Sequence, residues 1–278
     1  MTRAAYATDL TDAQWQAIVR HLPPPQPRGR PSKYDRREIF NALLYLDRTG
    51  CQWRLLPHDF PPYRSVFGYF TQWKRDGTFA RLHDVLVLKL RAETADRSWA
   101  GSGTQCGRAG QPVRQSRAVG GPPLPKRGAK ATIGCDKHKQ VNGRKRHLLV
   151  DTLGLVLAVV VHSAGMQDRE GARLVLLRAW TKWTRLLWIW ADGAYAGPLG
   201  RWTWERCGWY LGLVKRPAGV KGWQLLPHRW VVERTFAWLG RCRRLSKDYE
   251  FHPESSEAMV HLAMIHLMAR RLTKRRPS

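Results

Sequence analysis

Residues 143–165, GRKRHLLVDTLGLVLAVVVHSAG, hold two β-rich runs on either side of Asp151–Gly154. Two such runs joined by a short turn predict a β-hairpin. Its apolar surface has to be buried, and the residues that follow supply the cover. EGARLVLLRAWTKW (170–183) is helical in its spacing, RLLWIWA (185–191) reads as a buried strand, RWTWERC (201–207) as a short helix and GWYLGLV (208–214) as a strand. Two longer helices fall at roughly 228–244 and 254–272. Hairpin, helix, strand, helix, strand, helix predicts a mixed α/β domain with helices packed on a sheet.

The amino-terminal part differs. In DLTDAQWQAIVRH (9–21) Thr11 is placed to cap a helix on which Trp15, Ile18 and Val19 share a face, and Pro23, Pro24 and Pro25 end it. KYDRREIFNALLYLDRTG (33–50) stops at Gly50. PYRSVFGYFTQWKRDG (62–77) places Val66, Phe67, Phe70 and Trp73 at helical spacing, and FARLHDVLVLKLRAET (79–94) adds a fourth helix. Short helices with basic residues between them fit a helix-turn-helix module, with Arg64, Lys74 and Arg75 toward phosphate. They fit a plain bundle with a solvated charged face equally well, and the pattern names no base-reading residue. Residues 97–133 contain no Asp or Glu, are rich in Gly and Pro, and have no periodicity. They predict an irregular connecting segment.

Charge narrows the partners. Forty-eight Lys and Arg against 21 Asp and Glu give a formal net charge of +27, the footprint of a protein that neutralises phosphates. The longest apolar run, LGLVLAVVV (153–161), is too short to span a bilayer, and the amino terminus lacks a signal-peptide core. No membrane role and a cytoplasmic location are therefore expected. Five scattered cysteines without a C-x-x-C pair argue against a disulfide framework or a zinc ribbon.

Two acids stand in unusual company. Asp192 closes the strand-like run before Gly193, where ligands of α/β sheets commonly bind, although a turn aspartate would look the same. Glu233 interrupts the helical run HRWVVERTFAWLGRCRR (228–244), with Trp230, Phe236 and Ala237 three and four residues away. That spacing predicts a core-facing carboxylate, which must be paired or metal-bound; Arg229, one turn earlier, offers an ion pair as the alternative. Phosphodiester chemistry would use such acids to bracket two divalent cations roughly 4 Å apart, and it needs a third acid upstream. Candidate phosphate contacts are Arg144, Lys145 and Arg146 in GRKRH, and Arg241, Arg243 and Arg244 in RCRRLSK, either of which could be a solvated face. No phosphate-binding Gly-Lys-Ser loop or G-x-S-x-G is present, and His261 and His266 are not the adjacent pair of a nickase.

The stretches LTDAQW, GRPSKYDRREIFNALLYLDRTGCQWRLLPHDFPPY, NGRKRHLLVDTLGLVLAVVVHSAGMQDREGARL, WIWADGAYAG, VKRP and LPHRWVVERTFAWLGRCRRLSKDYE resemble bacterial insertion-sequence transposases with a DDE triad, of the insertion-sequence-five group. The resemblance covers nearly all of the chain outside 97–133. It implies a helical, helix-turn-helix-like DNA-binding domain at 1–95, an irregular linker at 96–133, and a ribonuclease-H-like catalytic domain at 134–278. It assigns Asp192 and Glu233 as catalytic, metal-binding acids and Arg229 as the basic residue preceding the last acid. It implies Mg²⁺ (or Mn²⁺), DNA partners at element ends and target, a homo-oligomer on DNA, and a nucleoid-associated location. The first acid is the departure: in AGQPV (109–113) Ala109 stands in the Asp place, as if this segment were read out of frame. Asp136, in GCD, is a weaker substitute. The expectation is a transposase impaired by the missing acid, or a non-catalytic DNA-binding remnant.

Overall fold

A computed structural model gives the fold of residues 3–24, 33–99, 110–114, 133–136, 140–214 and 229–274. Two compact units emerge, both discontinuous in sequence. One takes Met1–Gly103, Arg241–Ser246 and Ala258–Ser278, and the other Thr104–Gly240 and Lys247–Glu257.

The first unit is helical. It begins with α1 (Asp12–Val19), α2 (Arg36–Thr49), α3 (Tyr63–Arg75) and α4 (Thr78–Trp99). Thr11 caps α1 in a reciprocal box: its hydroxyl accepts from the Gln14 amide, and the Gln14 side chain accepts from the Thr11 amide. Thr11→Ala is expected to cost about 1 kcal/mol, seen as a lower urea midpoint; an unchanged midpoint would mean the cap contributes nothing. Ile39, Phe40, Leu43, Leu44 and Leu46 make α2 the buried centre of the unit. The short α8 (Arg243–Ser246) packs on α2. From Ala258 onward α9 (Pro253–Thr273) adds Val260, Leu262, Ile265 and Met268 to the buried set. Ring contacts of Trp73 with Phe40 (6.0 Å) and Phe79 (5.9 Å) tie α2, α3 and α4 together.

The second unit is built on a sheet whose strands are β1 (Gly110–Arg114), β2 (Gly134–Asp136), β3 (Val141–Val150), β4 (Val156–Ser163), β5 (Trp188–Asp192) and β6 (Tyr210–Val214). The predicted hairpin forms β3 and β4, with Asp151 accepting from the Leu153 and Leu155 amides in its turn. β3 pairs antiparallel with β1, which lies parallel to β5, and β5 lies parallel to β6. The order is thus β4, β3, β1, β5, β6, with β2 on the first residues of β3. Three helices, α5 (Asp168–Trp180), α6 (Leu199–Cys207) and α7 (Arg229–Gly240), belong to this unit. α5 packs on β3 and β4, α6 on β6, and α7 on β1, β3 and β5.

One strand lies where the sequence predicts none. β1 sits inside the segment expected to be irregular, between β3 and β5. Pairing on both edges holds GQPVR extended although its local propensity is poor, because strand preference yields to context.

Candidate active site

β5 buries Ile189 and Ala191 on one side, which leaves Asp192 half-buried at the strand's end. Its Oδ1 accepts from the Ala194 amide (3.0 Å), capping the 3₁₀ turn Gly193–Tyr195, and the fully buried Tyr195 anchors that turn. The side chain is therefore held at the carboxyl edge of the sheet by its own backbone.

α7, the helix that carries Glu233, packs on the same sheet, against β5 as well as β1 and β3. The face is not the expected one. Val231, Val232, Thr235 and Leu239 are the buried residues of α7, whereas Glu233 and Ala237 are exposed and Trp230 is 42% exposed. The core-facing stripe inferred around Trp230 is corrected: the apolar valines take the inward positions, and Trp230 serves a different purpose. The Arg234 guanidinium lies over Trp230 at 4.4 Å and over Trp238 at 4.8 Å, so one cation is held between two indoles at i, i+4 and i+8. Burial lowers the Arg234 pKa, opposed by the charge of Asp151. The spacing WxxxRxxxW is the sequence signal for this arrangement.

The third acid has no counterpart on β1. Ala109 lies outside the described residues. The β1–β5 register pairs Gly110 with Trp188 and Val113 with Ala191. Continued one step, it sets Arg114 at the level of Asp192. Asp136 is buried elsewhere, with the Lys145 ammonium 3.5 Å from its carboxylate. Among the described residues no group of three or more His, Cys, Asp or Glu stands close enough to hold a metal ion.

The basic candidates divide. Arg144 is 2% exposed, and Lys145 and Arg146 are each 5% exposed, so GRKRH is part of the sheet interior and not a surface contact for phosphate. The alternation of a strand explains how four polar residues are accommodated. Arg144 points to the segment 247–251, donating to Asp248 Oδ2 (3.0 Å) and to the Glu250 and Phe251 carbonyls; Arg146 donates to the Lys247 carbonyl. Lys145 and His147 point the other way, Lys145 to Asp168 (2.9 Å) and the Met166 carbonyl. Arg244 is also buried, donating to the Cys51 carbonyl, with its guanidinium over Trp53. Arg241 and Arg243 are exposed. Arg229 is the first residue of α7. No helix among the described residues is long and apolar enough to cross a membrane.

Comparison with known proteins fits this arrangement. The family described as "Transposase DDE domain" matches residues 76–268, and one described as a transposase family of the IS4/5 type matches residues 10–83. The chain is 30% identical over 126 residues to the insertion element IS402 uncharacterized 16.2 kDa protein of Burkholderia cepacia, which spans 42% of this chain and 86% of that protein. It is 29% identical over 117 residues to the uncharacterized protein y4sN of Sinorhizobium fredii, 42% of this chain and 90% of that one. A basic chain with these matches is a DNA transposase in class. It belongs to the DDE-domain transposases of insertion sequences.

Proposed function

We propose that the chain is an insertion-sequence transposase that recognises the ends of its element but carries an incomplete strand-cleavage centre. An antiparallel triplet, β4–β3–β1, continued by the parallel β5 and β6, supports reading the sheet as ribonuclease-H-like. The helices of residues 1–95 are read as the helix-turn-helix-like DNA-binding part. The transposase part, expected at 134–278 after a linker at 96–133, is read as the sheet-bearing unit, which takes β1 from that linker and leaves 241–246 and 258–278 to the helical unit. The DDE family generally uses divalent metal ions. Asp192 and Glu233 are the acids this reading assigns to Mg²⁺ or Mn²⁺, and α7 packed on β5 supports the pairing.

Bracketing two cations takes carboxylates from separate elements. The described residues do not fit a complete centre of that kind: β1 reads GQPVR, without an acid, and no cluster of three ligand-type residues forms. That disagreement carries the conclusion that cleavage and transfer are impaired. It equally favours a second reading, a non-catalytic remnant that occupies element ends. Arg241 and Arg243 remain as exposed cations for the DNA backbone, and assembly as a homo-oligomer on nucleoid DNA belongs to the same proposal.

Nicking of cognate element ends in the presence of Mg²⁺ separates the two. Slow, metal-dependent nicking abolished by Asp192→Asn supports the impaired enzyme; sequence-selective binding without nicking supports the remnant. Binding with a steep salt dependence and no sequence preference would sink both.

A further inference from the structure

α3 buries Val66, Phe70 and Trp73 and turns Arg64, Phe67, Gly68, Thr71, Gln72 and Arg75 outward. At 100° per residue these six fall in one stripe roughly 140° wide. No residue of Tyr63–Arg75 is acidic. The nearest carboxylate in sequence, Asp76, is engaged by the Thr78 amide and hydroxyl and by Arg81. Gly68 lies in the middle of the stripe, and a Cβ added there would meet nothing within 4 Å. Packing within the unit therefore does not require a glycine, yet its presence flattens the centre of an exposed helix face. Phe67, 47% exposed, is held edge-on against Trp53 at 5.0 Å.

We propose that α3 is the base-reading helix of this chain and lies in the major groove of B-form DNA. This rests on the transposase reading only for its partner, and adds which residues select the sequence. The chemistry of the stripe matches the groove edges: a Gln amide pairs with adenine, Arg with guanine or phosphate, and Thr methyl and Phe with the thymine methyl. A helix fits a groove about 12 Å wide, and closest approach falls at Gly68. From Arg64 to Arg75 the face spans roughly 16 Å at 1.5 Å per residue, room for about five base pairs at 3.4 Å each. The deep, narrow major groove of A-form RNA would not admit it.

The test selects binding sites for the full-length chain from random duplex DNA, with a random RNA pool in parallel, and then compares variants on the enriched duplex. Gln72→Ala is expected to weaken that binding about 5- to 150-fold, the equivalent of 1–3 kcal/mol, and to relax preference at one position. Gly68→Leu, which suits a helix better than Gly, is expected to keep the fold and lose selective binding. Both should bind competitor DNA within about twofold of the parent chain. An enriched duplex bound unchanged by both variants would overturn the assignment of α3 while leaving the transposase reading intact. Absence of any enriched duplex, or enrichment of RNA over DNA, would overturn α3 and the choice of DNA ends together.

Discussion

Arg144→Ala is expected to destabilise the sheet-bearing unit by about 3–5 kcal/mol, the cost of leaving a buried charge without its partner. Arg144 and Asp248 have side chains 3% and 7% exposed, and Arg144 also donates to two carbonyls. Asp248 Oδ2 and the Glu250 carbonyl would lose a donor in buried positions, and the part-buried Phe251 carbonyl would lose one as well. A native domain has only about 5–15 kcal/mol in hand, so the variant should unfold at much lower urea. Substituting the exposed Arg241 or Arg243 should move stability by no more than about 0.5 kcal/mol. Urea unfolding of the three variants decides the matter. Arg144→Ala as stable as the parent, but weak on DNA, would return GRKRH to the phosphate surface.

The second large effect is a loss of stability in acid. His147 and His162 are buried side by side between β3, β4 and α5, with rings 4.8 Å apart. Gly171 of α5 allows this, because a Cβ there would come within 2.4 Å of His162 Nε2. His162 Nδ1 donates to the Ser163 carbonyl (2.8 Å), so its Nε2 accepts from His147 Nδ1 (2.8 Å) when both rings are neutral. Desolvation, then the charges of His162 and Lys145, lowers the His147 pKa to about 3. In the helical unit, burial and then Arg270 and Arg48 lower that of His266 to about 4.

An unfolded histidine titrates near pH 6.5. Between that value and the folded pKa, the unfolded chain binds the extra proton. The neutral rings therefore contribute stability fully above about pH 6.5, and it is lost as pH falls toward 3 for His147 and 4 for His266. Each group contributes a slope of up to about 1.4 kcal/mol per pH unit, on the order of 4 kcal/mol for His147 across the window. Urea midpoints measured from pH 7 to pH 4 should fall steeply in the parent. The fall should be shallower in His147→Gln; equal slopes would mean that the ring takes up its proton as readily in the fold as in the unfolded chain.

What the sequence disclosed follows the range of the interactions. α1 with its Thr11 cap, the β3–β4 hairpin, and β5 ending at Asp192 were legible because each is specified by neighbours within one element. β1 was not, since GQPVR becomes a strand only through pairing with β3 and β5. Neither was the burial of Arg144, whose carboxylate partner stands 104 positions away. The inward face of α7 is not legible from spacing alone, because an aromatic such as Trp230 suits the core by composition, whereas here it shields one side of the Arg234 guanidinium. The return of Ala258 onward to the helical unit is likewise a matter of long-range packing.

The proposed metal centre, built on Asp192 and Glu233, is short of one acid. Mn²⁺ binding to the full-length chain, followed by the loss of its free-ion paramagnetic resonance signal, tests this without requiring cleavage. One weakly held ion per chain at most, abolished by Asp192→Asn, is the expected result. Two ions per chain, or binding indifferent to both Asp192→Asn and Glu233→Gln, would contradict it.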